Sequence, residues 1–125
     1  MPIAYWTILI AALMPIIFAG IAKAGGERFT NRRPREWLAN QAGWRQRANW
    51  AQQNSFEAFA PFAAGVLTAQ QLDAGQGTIN TLAVAFIGFR ILYGALYIVD
   101  AHLWRSLAWL GGMVCTIGLF VAAAA

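Results

Sequence analysis

The run Ile79–Val99 is apolar except at Asn80, Thr81, Arg90, Tyr93 and Tyr97. It is long enough to cross a bilayer as a helix, which takes about 20 residues, yet it carries an arginine near its middle. A guanidinium at hydrocarbon depth is costly. Such groups face a bundle interior or a cavity, and they mark working sites. The chain must therefore place other helices around Arg90. A second ionisable group, Glu57, lies in another apolar segment.

The rest of the composition agrees. Hydrophobic residues make up 59% of the chain and charged residues only 11%, where a soluble domain carries about 25% charged. A length of 125 residues fits one domain over residues 1–125. The expected fold class is an all-α integral membrane protein with four transmembrane helices in an antiparallel bundle. Span one covers about 3–24 and ends at Gly25-Gly26. Ala22-Lys23-Ala24 mimics a signal-peptide cleavage site, but no Lys or Arg precedes the run, and it exceeds the usual apolar core of about 7–15 residues. A loop over 25–48 follows. Its polar, arginine-rich part, Glu27–Arg47, holds Asn31-Arg32-Arg33-Pro34-Arg35, and Trp37 and Trp44 suit it to the membrane surface. Span two covers about 49–72. Only its second half, Ala58–Ala69, is cleanly apolar, so the half bearing Gln52, Gln53, Asn54, Ser55 and Glu57 must be buried in protein or line a wet cavity. Spans three and four cover about 78–100 and 103–124.

The net charge of +4 is not a nucleic-acid signal, because the basic residues flank the spans. Lys23, Arg28, Arg32, Arg33, Arg35, Arg45 and Arg47 border the first loop and Arg105 borders the third. The positive-inside rule then places both loops in the cytoplasm and both termini outside, as expected in a bacterial inner membrane, where the termini are periplasmic. Cys115 excludes an internal disulfide and reads as a small core residue.

An α-helix turns about 100° per residue, so Arg47, Trp50, Asn54 and Glu57 share one face of span two. Arg90, Tyr93, Tyr97 and Asp100 repeat that spacing on span three. Glu57 and Arg90 each lie about 15 Å from the basic mouth of their helix. Antiparallel helices would bring the two charges level, which predicts a Glu57–Arg90 ion pair, within the chain or between subunits. Either charge buried alone would cost several kcal/mol. Above the pair, Asn54, Tyr93 and Tyr97 form a polar funnel toward the basic side. A buried pair can also be architecture alone, but matched depth and a half-polar span favour a site. Tyr97 and Asp100 taken alone read as interfacial residues. Trp37, Trp44, Trp104 and Trp109 read as interface anchors and His102 as a solvated turn residue. No metal cluster, catalytic triad or phosphate loop is present.

The segment Arg47-Ala48-Asn49-Trp50-Ala51-Gln52-Gln53-Asn54-Ser55-Phe56-Glu57, followed by Pro61-Phe62, resembles the second-helix signature of the MAPEG family, the membrane-associated proteins in eicosanoid and glutathione metabolism. Arg90-x-x-Tyr93-x-x-x-Tyr97 and Arg105-Ser106 resemble its third and fourth helices, and Asn31–Arg35 is similar to the first loop of bacterial members. The resemblance covers nearly the whole chain. It implies a left-handed four-helix bundle, a homotrimer with sites between subunits, and glutathione as co-substrate without a metal. The partners it implies are the lipid bilayer and a lipophilic small-molecule substrate, which is conjugated, reduced or isomerised. Carried over, Asn54, Glu57, Tyr93 and Tyr97 would hold the tripeptide and Arg90 would brace Glu57. Lys23 would reach the glutathione carboxylates. Arg105 would stabilise the thiolate with help from Ser106.

Three positions depart from the family pattern. Trp50 and Gln53 stand where many members have arginine, and Trp109 stands where a tyrosine is common. Fewer cations then face the carboxylates, and Arg47, one turn outward, is the expected substitute. The primary reading is a glutathione-dependent membrane transferase or peroxidase acting on lipophilic electrophiles or lipid hydroperoxides. The alternative is a non-catalytic protein that binds a lipid or fatty acid in the same cavity. A four-span transporter is disfavoured, because Glu57 is expected to be paired.

Overall fold

The computed structural model describes residues 1–24 and 31–125. Gly25-Gly26, Glu27 and Arg28 lie outside the described residues. The elements are α1 (Ile3–Lys23), α2 (Pro34–Ala39), α3 (Gly43–Gln71), α4 (Gln76–Ile98) and α5 (His102–Ala124). Among the described residues three helices, α1, α4 and α5, are long and apolar enough to cross a membrane. At 1.5 Å per residue, 21–23 residues give about 32–35 Å, enough for a hydrocarbon core of about 30 Å. The chain is thus an all-helical integral membrane protein.

The helix boundaries correct the sequence reading in two places. α3 is 29 residues long and starts at Gly43, well before Asn49, because the Trp44–Arg47 segment winds into the same helix as the apolar half. The Arg-rich loop also contains α2, whose first turn has Pro34 and Glu36. Proline suits the first helical position, where its missing N–H is not needed. Leu38 of α2 is buried with Ala22 of α1 and Ala48 of α3, which ties this short helix to the basic end of the bundle.

Two helices end in the same way. After α3, Ala74 N–H donates to the Ala69 carbonyl (3.0 Å) and Asp73 N–H to that of Gln70 (3.2 Å). After α4, Ala101 N–H donates to Leu96 (2.9 Å) and Asp100 N–H to Tyr97 (3.1 Å). Both are Schellman closures. They put Asp73 at φ 56° and Asp100 at φ 64°, a left-handed conformation that aspartate tolerates better than most side chains. Asp100 is thus a helix stop.

Contacts along the helices fix their directions. Ala4 N–H of α1 donates to Asn80 Oδ1 of α4 (3.3 Å), and a Cβ on Gly94 would overlap the Phe18 ring further along both helices. α1 and α4 are therefore parallel. Arg47 meets Ile98 and Gln70 meets Gln76, so α3 is antiparallel to α4. Gly111 faces Phe89 and Gly118 faces Leu82, so α5 is antiparallel to α4 as well. The core is sealed by Phe62 stacked on Phe86, with ring centroids 3.8 Å apart and planes 4° apart, and by Val66, Ile79, Ala83 and Leu119. Cys115 is buried among them.

Candidate functional site

Arg90 is buried, with 3% of its surface exposed. Its Nη2 donates to Asn54 Oδ1 at 2.7 Å, and its guanidinium lies over the Tyr93 ring, 4.3 Å from the centroid. The direct Glu57–Arg90 ion pair expected within the chain is not formed. Among the described residues, the ion pair within 4.0 Å is Arg33–Glu36, at 3.5 Å. The physical reason is local. Asn54 and Glu57 are one turn apart on the same face, and Asn54 lies nearer the guanidinium. The amide oxygen and the tyrosine ring together satisfy the cation, which leaves the Glu57 carboxylate at the surface of this chain.

Three cavities meet at Asn54. The first, of about 170 Å³, is bounded by Glu57, Pro61, Phe86, Arg90, Trp109, Met113 and Thr116 among others. It is an inner chamber between α3, α4 and α5. Pro61 has no N–H to give the Glu57 carbonyl one turn earlier, so a main-chain acceptor is freed at its rim. The second, of about 330 Å³, is the funnel, lined by Trp50, Gln53, Asn54, Glu57, Tyr93 and Tyr97. The third, of about 240 Å³, is a cleft lined by Asn54, Tyr93, Tyr97, Arg105, Ser106 and Trp109. Binding pockets for small molecules run to about 300–1,000 Å³, and of these three the funnel reaches that range.

The funnel wall is aromatic and ordered. Tyr93 and Tyr97 meet edge to face at 5.6 Å, and Trp50 tilts against Tyr97 at 6.2 Å. The Arg105 guanidinium lies over the other part of this wall, 4.2 Å from the Tyr97 centroid. Ser106 Oγ donates to the His102 carbonyl at 3.1 Å, so its proton is already used within α5, although the residue lines the cleft.

Of the residues singled out in the sequence, Asn54, Glu57, Arg90, Tyr93, Tyr97, Arg105 and Ser106 line this connected space. Lys23 and Arg47 do not. Arg47 Nε donates to the Ile98 carbonyl at 2.9 Å, which turns its side chain toward the end of α4. Trp109, read from the sequence as an interface anchor, instead borders both the chamber and the cleft. Met113 and Thr116 escaped the sequence reading. A signal for them exists, because Arg105, Trp109, Gly112 and Thr116 share one face of α5. Among the described residues no group of His, Cys, Asp or Glu is placed to hold a metal ion.

The donor set accommodates a zwitterionic thiol tripeptide in part. Glu57 offers a counter-charge to an ammonium, Arg105 offers one to a thiolate, and the amides of Gln53 and Asn54 with two tyrosine hydroxyls offer neutral partners to carboxylates. Among the described residues of this chain the funnel lining holds no cation, and Arg105 belongs to the adjoining cleft.

Comparison with curated proteins and with solved structures yields no match. A family model, that of the MAPEG family, matches residues 3–125. With essentially the whole chain covered, the protein belongs to the MAPEG family.

Proposed function

We propose that the protein is a glutathione-dependent transferase or peroxidase of the membrane, acting on lipophilic electrophiles or lipid hydroperoxides. The observation that carries this reading is Arg105 held over Tyr97 at a cleft that meets the funnel at Asn54. A free thiol with a pKa of about 8.5 is only about 3% ionised at pH 7. A fixed cation that lowers the pKa by about two units raises the thiolate to roughly three quarters, about 25-fold, less the nucleophilicity lost as pKa falls. In conjugation the thiol proton leaves to solvent, the thiolate sulfur bonds to the electrophilic carbon, and the leaving group departs with its electron pair. Glu57 takes the tripeptide's ammonium, and Asn54, Tyr93 and Tyr97 orient it. Arg90 holds Asn54 in place.

The same reading includes a fourth span and a trimer. α3 exposes Gln53, Glu57, Ala60, Ala64 and Leu67 along one stripe. A carboxylate facing acyl chains at the bilayer centre costs about 2.5–3.5 kcal/mol on insertion scales. Another copy of the chain covering this stripe removes that cost and closes the open side of the funnel. Lys23 and further cations for the tripeptide's carboxylates then come from a neighbouring copy. The basic ends face the cytoplasm, where glutathione is supplied, and the membrane is a bacterial inner membrane.

One observation favours a second reading. Trp50 and Gln53 line the funnel in place of cations, which weakens its hold on a tripeptide's two carboxylates and leaves an indole face for the apolar chain of a lipid or fatty acid bound without turnover.

The test is conjugation of glutathione to a lipophilic aryl halide by the protein in liposomes. The transferase reading expects turnover that falls more than tenfold in Arg105→Ala at neutral pH. The deficit narrows at alkaline pH, where water ionises the thiol unaided. Absence of turnover, with saturable fatty-acid binding, overturns it in favour of the second reading.

A further inference from the structure

A second cavity system lies on the opposite side of α4 from the funnel. Ile10, Met14, Ile17 and Ile21 of α1 face Ala95 and Ile98 of α4 across a wholly apolar groove of about 390 Å³. From Ile10 to Ile21 it runs about 16 Å at 1.5 Å per residue. That is close to one leaflet's share of a hydrocarbon core of about 30 Å. The groove begins at the basic end of the bundle and stops near mid-membrane, so it has the length and direction of a single acyl chain.

Its mouth is cationic. Arg47 donates through Nε to the carbonyl of Ile98, the groove's last α4 residue, at 2.9 Å. Arg45 donates through Nη2 to the carbonyl of Ala24, just beyond Ile21, at 2.7 Å. Two guanidiniums are thus anchored by main-chain bonds at the basic ends of α1 and α4, one on the groove's own Ile98 and one three residues beyond its Ile21. Each keeps further N–H donors, and the Arg45 Nε is buried without a partner. Among the described residues neither arginine is in an ion pair, and Asp100, two residues past Ile98, makes none with them. Guanidinium forks match phosphate oxygens, and basic pockets between transmembrane helices on one side of a membrane hold anionic head groups.

The geometry points to a lipid site here: one anionic glycerophospholipid per chain, with one acyl tail in the α1/α4 groove and its phosphate on Arg45 and Arg47. Phe18 sets the floor. Its ring lies against Gly94, so the groove survives because Gly94 has no side chain to push that ring outward.

Native mass spectrometry of the protein extracted from bilayers of equal phosphatidylglycerol and phosphatidylcholine tests this. One phosphatidylglycerol per chain is expected, retained about 30-fold over phosphatidylcholine, the equivalent of about 1 kcal/mol for each of two arginines. The Arg45→Gln/Arg47→Gln variant brings the ratio to near one. Ala95→Trp fills the groove and removes the retained lipid while the helical content stays. Equal retention of both lipids by the unaltered protein overturns the proposal, and that comparison needs no variant. Undiminished lipid on Ala95→Trp overturns it too. So does dispersal of an oligomer by Ala95→Trp, because the occupant would then be a second copy of the chain.

Discussion

Arg90 of α4 donates to Asn54 of α3 across 2.7 Å, and this bond joins the two helices where chamber, funnel and cleft meet. Asn54 borders all three spaces. It is therefore both the partner of a buried cation and a wall of the candidate site.

Replacing Asn54 by leucine strands the guanidinium. Leaving a buried charge uncompensated costs about 3–5 kcal/mol, softened here by the Tyr93 ring. Thermal unfolding in detergent is expected to show a loss of more than 2 kcal/mol. Asn54→Asp, which offers a charged acceptor at the same place, is expected to retain most of the stability. Equal stability of the leucine variant would show that the bond is incidental.

The stacked pair Phe62 and Phe86 lies below the chamber, with Phe62 fully buried. Phe62→Ala opens a void in contact with Pro61 and the chamber wall. A cost of about 3–5 kcal/mol follows from lost packing, because dispersion contacts hold helices together even where lipid removes the hydrophobic drive. Denaturant titration in mixed micelles measures it.

Glycines on α4 separate by surroundings. A Cβ at Gly94 overlaps the Phe18 ring, whereas one at Gly88 meets nothing within 4 Å. Gly94→Ala is expected to destabilise by about 1–3 kcal/mol. Gly88→Ala is expected to be neutral or to stabilise by up to about 1 kcal/mol through helix propensity. Thermal melts of both in one detergent check the contrast, and a reversed order would place the α1–α4 contact elsewhere.

Single cysteines in a Cys115→Ala background test whether α3 spans the bilayer. Asn40, before α3, and Gly75, after it, are expected to label from opposite faces of sealed vesicles. Ala64→Cys is expected to form disulfide-linked oligomers if its stripe meets another copy. Labelling of Asn40 and Gly75 from one face would remove α3 from the set of spans.

Much of this was legible in the sequence. The apolar runs of α1, α4 and α5 fix their lengths to within a few residues, and the spacing of Arg90, Tyr93 and Tyr97 puts them on one face. Periodicity could not choose between Asn54 and Glu57 as the partner of Arg90. The two lie one helical turn apart, and the choice depends on how α3 is rotated. The early start of α3 was hidden because Trp44, Arg45, Gln46 and Arg47 read as an interfacial segment, although their backbone continues the helix. The groove beside Ala95 was not legible, since apolar residues carry no mark that distinguishes a wall from a packed core, whereas the chamber wall at Thr116 could have been read from the face it shares with Arg105 and Trp109.

In the proposed function, the space around Asn54 binds glutathione as a thiolate beneath Arg105. Calorimetric titration with glutathione in buffers of differing ionisation enthalpy measures both binding and proton release. Saturable binding that releases most of one proton per site at neutral pH is expected, with an Arg105→Ala variant whose binding releases none. No heat at millimolar glutathione, or the same proton release without Arg105, would contradict it.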